Sequence, residues 1–154
     1  MTNPALAALA TSGLDHTVTT HGKVRSLAEA AAARGVEPRD IVKTMVVRRA
    51  DDDHLLVLVP GDRTISWPKL RALLGVSRLS MPDAAAALEV TGFERGTITP
   101  FGTRTPLPVV ADERIRGRVV SIGAGAHGVA ATLNGDGLLN HLQATVADVT
   151  EPEG

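Results

Sequence analysis

The sequence contains no cysteine and no tyrosine, and its aromatic residues number three: Trp67, Phe93 and Phe101. Without cysteine there is no disulfide, no thiolate nucleophile and no cysteine-ligated metal. So few rings also exclude a sheet-face RNA reader, which stacks bases on several exposed aromatics. Charge is nearly balanced, with 16 Lys and Arg against 17 Asp and Glu for a net of −1. A binder that holds nucleic acid by bulk positive charge is therefore excluded, although a local basic rim around a pocket is not. No apolar run approaches the roughly 18 residues of a spanning helix. The alanine-rich stretch from Met1 to Leu14 lacks the basic start of a signal peptide, so the expectation is a soluble, cytoplasmic protein with no membrane partner.

What remains is a chain of 154 residues with 44% hydrophobic and 21% charged residues, enough for one globular domain with an aliphatic core. Pro4 and Gly13 bracket a short N-terminal helix. The segment from His16 to His21 is β-branched and suggests a strand. Ser26 and Glu29 form a capping box for a helix that ends at Gly35. Residues 41–48 read as a strand and Leu55–Val59 as another, buried on both faces, with an acidic turn at Asp51–Asp53 between them. Helices are expected over 66–74 and 84–90, then strands over 107–111, 119–122 and 129–133. A helix over 137–143 and a strand over 144–149 complete the chain. This irregular mixture predicts an α+β fold, a single compact domain built on a mixed sheet.

Lys43 is the first residue out of keeping with its surroundings. Alternation puts it on the same strand face as Ile41, Met45 and Val47. Its amine either snorkels to water at a strand edge or enters a pocket, where its charge would orient a carbonyl or phosphate. The second feature is the loop Gly96-Thr97-Ile98-Thr99-Pro100-Phe101-Gly102. It is either a plain connection or a rigid loop whose backbone N–H groups donate to a carbonyl or oxyanion. The third is Ser121-Ile122-Gly123-Ala124-Gly125-Ala126-His127-Gly128. β-prone Val129–Leu133 follows it instead of a long helix, so a tight turn between strands fits better than a dinucleotide fingerprint.

The histidines, at 16, 21, 54, 127 and 141, include no i, i+4 pair, and no metal site is expected. No serine sits in a Gly-x-Ser-x-Gly elbow, and no cofactor is called for. Asp112-Glu113 reads as a cap or turn.

In order, these pieces resemble the YbaK / prolyl-tRNA-synthetase-associated editing-domain family. Ile41-Val42-Lys43-Thr44-Met45-Val46-Val47 is similar to its lysine-bearing strand, and Gly96 to Gly102 resembles its Gly-x-x-Ser-Pro-x-Gly loop. Met81-Pro82-Asp83 leads a helix to Thr91-Gly92-Phe93, and Ser121 to Gly125 stands at its glycine-rich turn. The resemblance covers residues 15–150, preceded by an N-terminal helix over 1–14. Thr99 replaces the usual serine, the stretch from His21 to Ser26 is short, and an aromatic near Thr19 is missing. These departures bear on amino-acid preference more than on reaction.

The resemblance implies a barrel-like mixed sheet surrounded by helices, and an aminoacyl-tRNA deacylase that hydrolyses the ester of mischarged tRNA. It implies Lys43 as the catalytic residue, with the backbone of Gly96, Thr97, Ile98, Thr99 and Pro100 on the aminoacyl carbonyl. Thr44, Ser121, Gly123 and His127 would line the pocket. The implied partner is the acceptor end of an aminoacyl-tRNA, with Lys23, Arg25 and Arg104 as nearby cations and a prolyl-tRNA synthetase as a further partner. A catalytically silent tRNA-binding module and a small-molecule-binding regulatory domain remain open beside it.

Overall fold

Leu55–Val59 lies at the centre of the molecule, and its alternation separates two cores. The computed structural model of the chain describes residues 3–153; Met1 and Thr2 of the expected 1–14 segment lie outside the described residues. Strand β3 (Asp53–Pro60) is an interior strand of a seven-stranded sheet. Leu56 and Leu58 pack into one apolar cluster with Val42, Val46, Phe93 and Ile122. Val57 and Val59 pack into a second with Val47, Ile65 and Leu70. Burial on both faces explains the unbroken apolar run.

The sheet order is β1 (His16–Thr20), β7 (Val129–Asn134), β6 (Val119–Gly123), β2 (Ile41–Ala50), β3, β5 (Val109–Asp112), β8 (Thr145–Ala147). Pairings β1–β7, β7–β6 and β2–β3 are antiparallel, while β6–β2, β3–β5 and β5–β8 are parallel. The mixed sheet is the one expected. Its edge strands β1 and β8 do not pair with each other, so it stays open rather than closing into a barrel.

Helices α1 (Pro4–Ser12), α2 (Leu27–Arg34), α3 (Trp67–Leu74), α4 (Ala84–Thr91) and α5 (Gly135–Leu142) cover the sheet. Their starts follow the capping chemistry. Asn3 accepts from the N–H groups of Ala5 and Leu6, Ser26 from Glu29, and Asp83 from Ala86. Helix α1 docks through Ala5 and Leu9, both fully buried in the first core.

Several boundaries move for physical reasons. The expected strand 107–111 begins at Val109, because Pro106 and Pro108 have no N–H for a ladder. The last helix starts at Gly135, with Asn134 as its cap. The expected strand 144–149 shortens to β8, which ends at Ala147, and beyond it an unexpected strand β9 (Thr150–Pro152) pairs with β4 (Arg63–Ile65) in a separate ribbon. That ribbon is absent from the sequence pattern, since three-residue strands are too short to display alternation. Asp112 closes β5 as a cap, accepting from the Arg114 N–H. Its fully buried carboxylate also accepts from Thr150 Oγ1 at 2.8 Å and from the Val149 N–H at 3.3 Å, tying the ribbon to the main sheet.

Candidate active site

The site begins where two parallel strands part. Strands β2 and β6 pair only at Ile41–Ser121 and Val42–Ile122. Farther along, Arg48 exchanges backbone hydrogen bonds with Ser80, at 2.7 and 3.1 Å. Between those two attachments the edge of β2 is uncovered. The Ile41 carbonyl accepts from Gly61 on the β3 side, whereas Arg48 bonds on the opposite side. Strand alternation therefore turns the backbone N–H and C=O of Thr44 and Val46 away from β3, into the gap.

A cavity of about 630 Å³ fills this gap. Ile41 to Val46 of β2 form one wall and Gly123 at the end of β6 another. Met81 to Ala84 and the loop residues Arg95, Gly96 and Ile98 complete it. The volume is in the range of small-ligand sites. Among the described residues its cationic side chains are Arg34, Lys43 and Arg95, facing a single lining carboxylate, Asp83, which is engaged in capping α4.

Lys43 lies on the Ile41/Met45/Val47 face, as alternation predicts, and its side chain is about one-third exposed. Its stem borders the cavity, while Nζ donates to the Arg63 carbonyl at 2.7 Å and lies 3.5 Å from the Glu153 carboxylate. The charged head is thus held by the β4–β9 ribbon. Thr44 points the other way, toward the first core, and its buried Oγ1 has no partner among the described residues.

Gly96 adopts φ +90°, where a side chain is strained. His127 covers it: a Cβ on Gly96 would lie 3.3 Å from His127 Cε1. The Thr97 N–H and hydroxyl both donate to the Glu94 carbonyl, at 2.9 and 2.8 Å, so this residue closes the loop rather than facing the cavity. Thr99 is fully buried, with Oγ1 unpaired among the described residues.

Of the residues singled out in the sequence, Lys43, Thr44, Gly96, Ile98 and Gly123 border one cavity. Thr97, Thr99, Pro100, Ser121 and His127 do not. Ser121 is fully buried behind the wall, where its Oγ accepts a long 3.5 Å hydrogen bond from Arg34. His127 is exposed, with Nε2 at 3.7 Å from Glu94. Neither Lys23, Arg25 nor Arg104 reaches the cavity, and Arg104 instead donates to the Glu89 carbonyl. Besides Lys43, the cations that reach it are Arg34 and Arg95, which no sequence motif marks. Arg34 reads as a last-turn residue complementing a helix dipole, and Arg95 as an ordinary loop charge. Among the described residues, no group of three or more His, Cys, Asp or Glu is placed to hold a metal ion.

The aminoacyl-tRNA editing domain profile matches residues 21–140, from the end of β1 through most of α5. The chain belongs to the aminoacyl-tRNA editing domain family. Among curated relatives of this editing domain are two proline–tRNA ligases. That of Bacillus licheniformis is 31% identical over 104 residues, covering 68% of this chain and 18% of the ligase. That of Desulfotalea psychrophila is 39% identical over 80 residues, covering 52% of this chain and 14% of the ligase. The editing domain thus spans less than a fifth of either relative.

The structure is also similar to the crystal structure of a candidate trans-editing enzyme for prolyl tRNA synthetase. The TM-score is 0.86 at 30% identity, over 100% of this chain and 99% of the other. A second crystal structure, of a hypothetical protein, matches with a TM-score of 0.87 at 27% identity, over 96% and 99% of the two chains. Among the described residues, no helix is long and apolar enough to cross a membrane.

Proposed function

We propose that this editing domain is an aminoacyl-tRNA deacylase acting in trans, in the cytoplasm, on tRNA charged with the wrong amino acid. The observation that carries the reading is the convergence of Lys43, the open β2 edge and the Gly96–Ile98 loop on one cavity with a cationic rim. An aminoacyl ester is already activated, so a site that positions it and stabilises the developing oxyanion is sufficient without a side-chain nucleophile. Water adds to the ester carbonyl, the bond to the ribose oxygen breaks, and a free amino acid and an uncharged tRNA leave.

In this reading the Gly96 and Ile98 amides bracket the aminoacyl carbonyl. The Thr97 amide is excluded, because it is committed to Glu94. Lys43 swings from the Arg63 carbonyl to the ester or adjoining phosphate, and the substrate's own ribose hydroxyl serves as proton carrier. The aliphatic lining of Ile41, Val42, Met45 and Ile98 favours a small side chain such as that of alanine or cysteine. The likeness to proline–tRNA ligases supports tRNA-Pro as the carrier and a prolyl-tRNA synthetase as a partner.

One observation favours a second reading, a silent tRNA-binding module: the Lys43 ammonium is already satisfied by Arg63 and Glu153. A panel of mischarged tRNAs separates the two. The deacylase reading expects release of alanine or cysteine well above buffer hydrolysis and little release of phenylalanine. Intact esters throughout, with tRNA still bound, establish the silent module instead.

A further inference from the structure

Arg34 stands at the last turn of α2, wedged between the helix and the β2–β6 seam. Its Nε is buried without a partner among the described residues. Its one side-chain hydrogen bond among the described residues, from Nη1 to Ser121 Oγ, is 3.5 Å long. No carboxylate lies within ion-pair distance of it among the described residues; Asp83, the sole acid of the cavity, caps α4 instead. Burial also pulls its guanidinium below the ordinary arginine value. The helix does not need it as a cap, because the Ala31 and Ala32 carbonyls already accept from the Val36 and Gly35 N–H groups.

A charge that loses part of its hydration without gaining a counter-charge is destabilising, and it persists where something else offsets the loss. The side chain borders the cavity, so the missing counter-charge belongs to a ligand. An aminoacyl ester has no free carboxylate, and its amine is a cation. The nearest anion such a substrate brings is a phosphate, which suits the planar fork of arginine. We propose that Arg34 anchors a phosphate of the nucleotide that carries the ester, setting how deeply the terminal sugar enters the cavity. This deepens the deacylase reading and rests on it for the ester, though not for the anion.

The test uses adenosine, adenosine 5′-monophosphate and inorganic phosphate as titrants of the whole protein, followed by calorimetry. Wild type is expected to bind the monophosphate at least about tenfold more tightly than adenosine, with inorganic phosphate alone weaker than the monophosphate. In Arg34→Met the ratio of the two nucleoside affinities should collapse toward one, and in Arg34→Lys it should recover in part. Arg34→Met should also melt no lower than wild type, because it removes an uncompensated charge. A wild-type ratio near one overturns the assignment, as does a ratio that survives in Arg34→Met. Inorganic phosphate binding as tightly as the monophosphate overturns the nucleotide source and leaves a general anion site. If the mischarged-tRNA panel shows no hydrolysis while the ratio behaves as expected, the deacylase reading fails and the phosphate anchor stands.

Discussion

Lys43 on β2 donates from Nζ to the backbone carbonyl of Arg63 on β4, at 2.7 Å. The contact joins the central sheet to the small ribbon that β4 makes with β9, and it sets the resting position of the ammonium beside the cavity. Lys43→Ala should lower deacylation by at least about tenfold, equivalent to roughly 1.4 kcal/mol of transition-state stabilisation. The ribbon keeps its backbone pairing, so circular dichroism and the melting temperature should stay close to wild type. A folded variant with near-normal turnover removes the lysine from the chemistry.

Gly96 and Thr99 should respond differently although they share a loop. At φ +90°, with His127 against the site of a side chain, Gly96→Val should distort the loop and cut turnover severely. Thr99→Ser deletes one buried methyl, for about 1 kcal/mol of stability, and should leave turnover nearly unchanged. Thr99→Val replaces an unpaired buried hydroxyl with a methyl and should melt at or above wild type. Steady-state kinetics and thermal melts on the three variants check the ordering. A silent Gly96→Val would place the reacting carbonyl elsewhere.

Acid sensitivity should trace in part to Asp148. Hydrogen bonds from Lys69 and then Arg114 hold its carboxyl below the usual carboxylate range. A depressed folded value contributes stability above the unfolded value, near 3.9, which is lost as pH falls through the folded one. Asp148→Asn should therefore melt lower than wild type at pH 7, by about 3 °C or less for so exposed a cluster. The gap should close as pH falls from the unfolded value through the lower folded one. A gap of constant size across the range would mean that packing, not charge, is responsible.

Gly102 and Gly13 both have positive φ, +74° and +79°, but only one is crowded. A Cβ on Gly102 would lie 2.5 Å from the Pro4 carbonyl oxygen and 2.9 Å from the Ala5 nitrogen, so α1 would have to lift from the core. Nothing lies within 4 Å of a Cβ on Gly13. Gly102→Ala should cost about 3 kcal/mol or more, against about 1 kcal/mol of backbone strain for Gly13→Ala. Denaturant melts of the two variants measure the difference. Equal losses would show that α1 docking at Gly102 contributes little.

The sequence by itself determined the elements whose signals are local. Capping at Ser26 and Asp83, the apolar run of β3 and the alternation that sets Lys43 among Ile41, Met45 and Val47 are consequences of neighbouring residues. The order of the lysine strand, the Gly96 loop and the Ser121–Gly125 turn was likewise legible, and it carried the family. Tertiary structure alone decided the pairing of β4 with β9, which brings Glu153 from the far end of the chain to Lys43, where the ammonium already meets the Arg63 carbonyl. It also decided that β2 and β6 part after two residue pairs, which opens the cavity and turns the Thr44 and Val46 amides into it. Arg34 shows why such features escape a linear reading. Its neighbours in sequence explain a helix end, whereas its lack of a counter-charge among the described residues depends on which side chains the fold brings near it and which it keeps away.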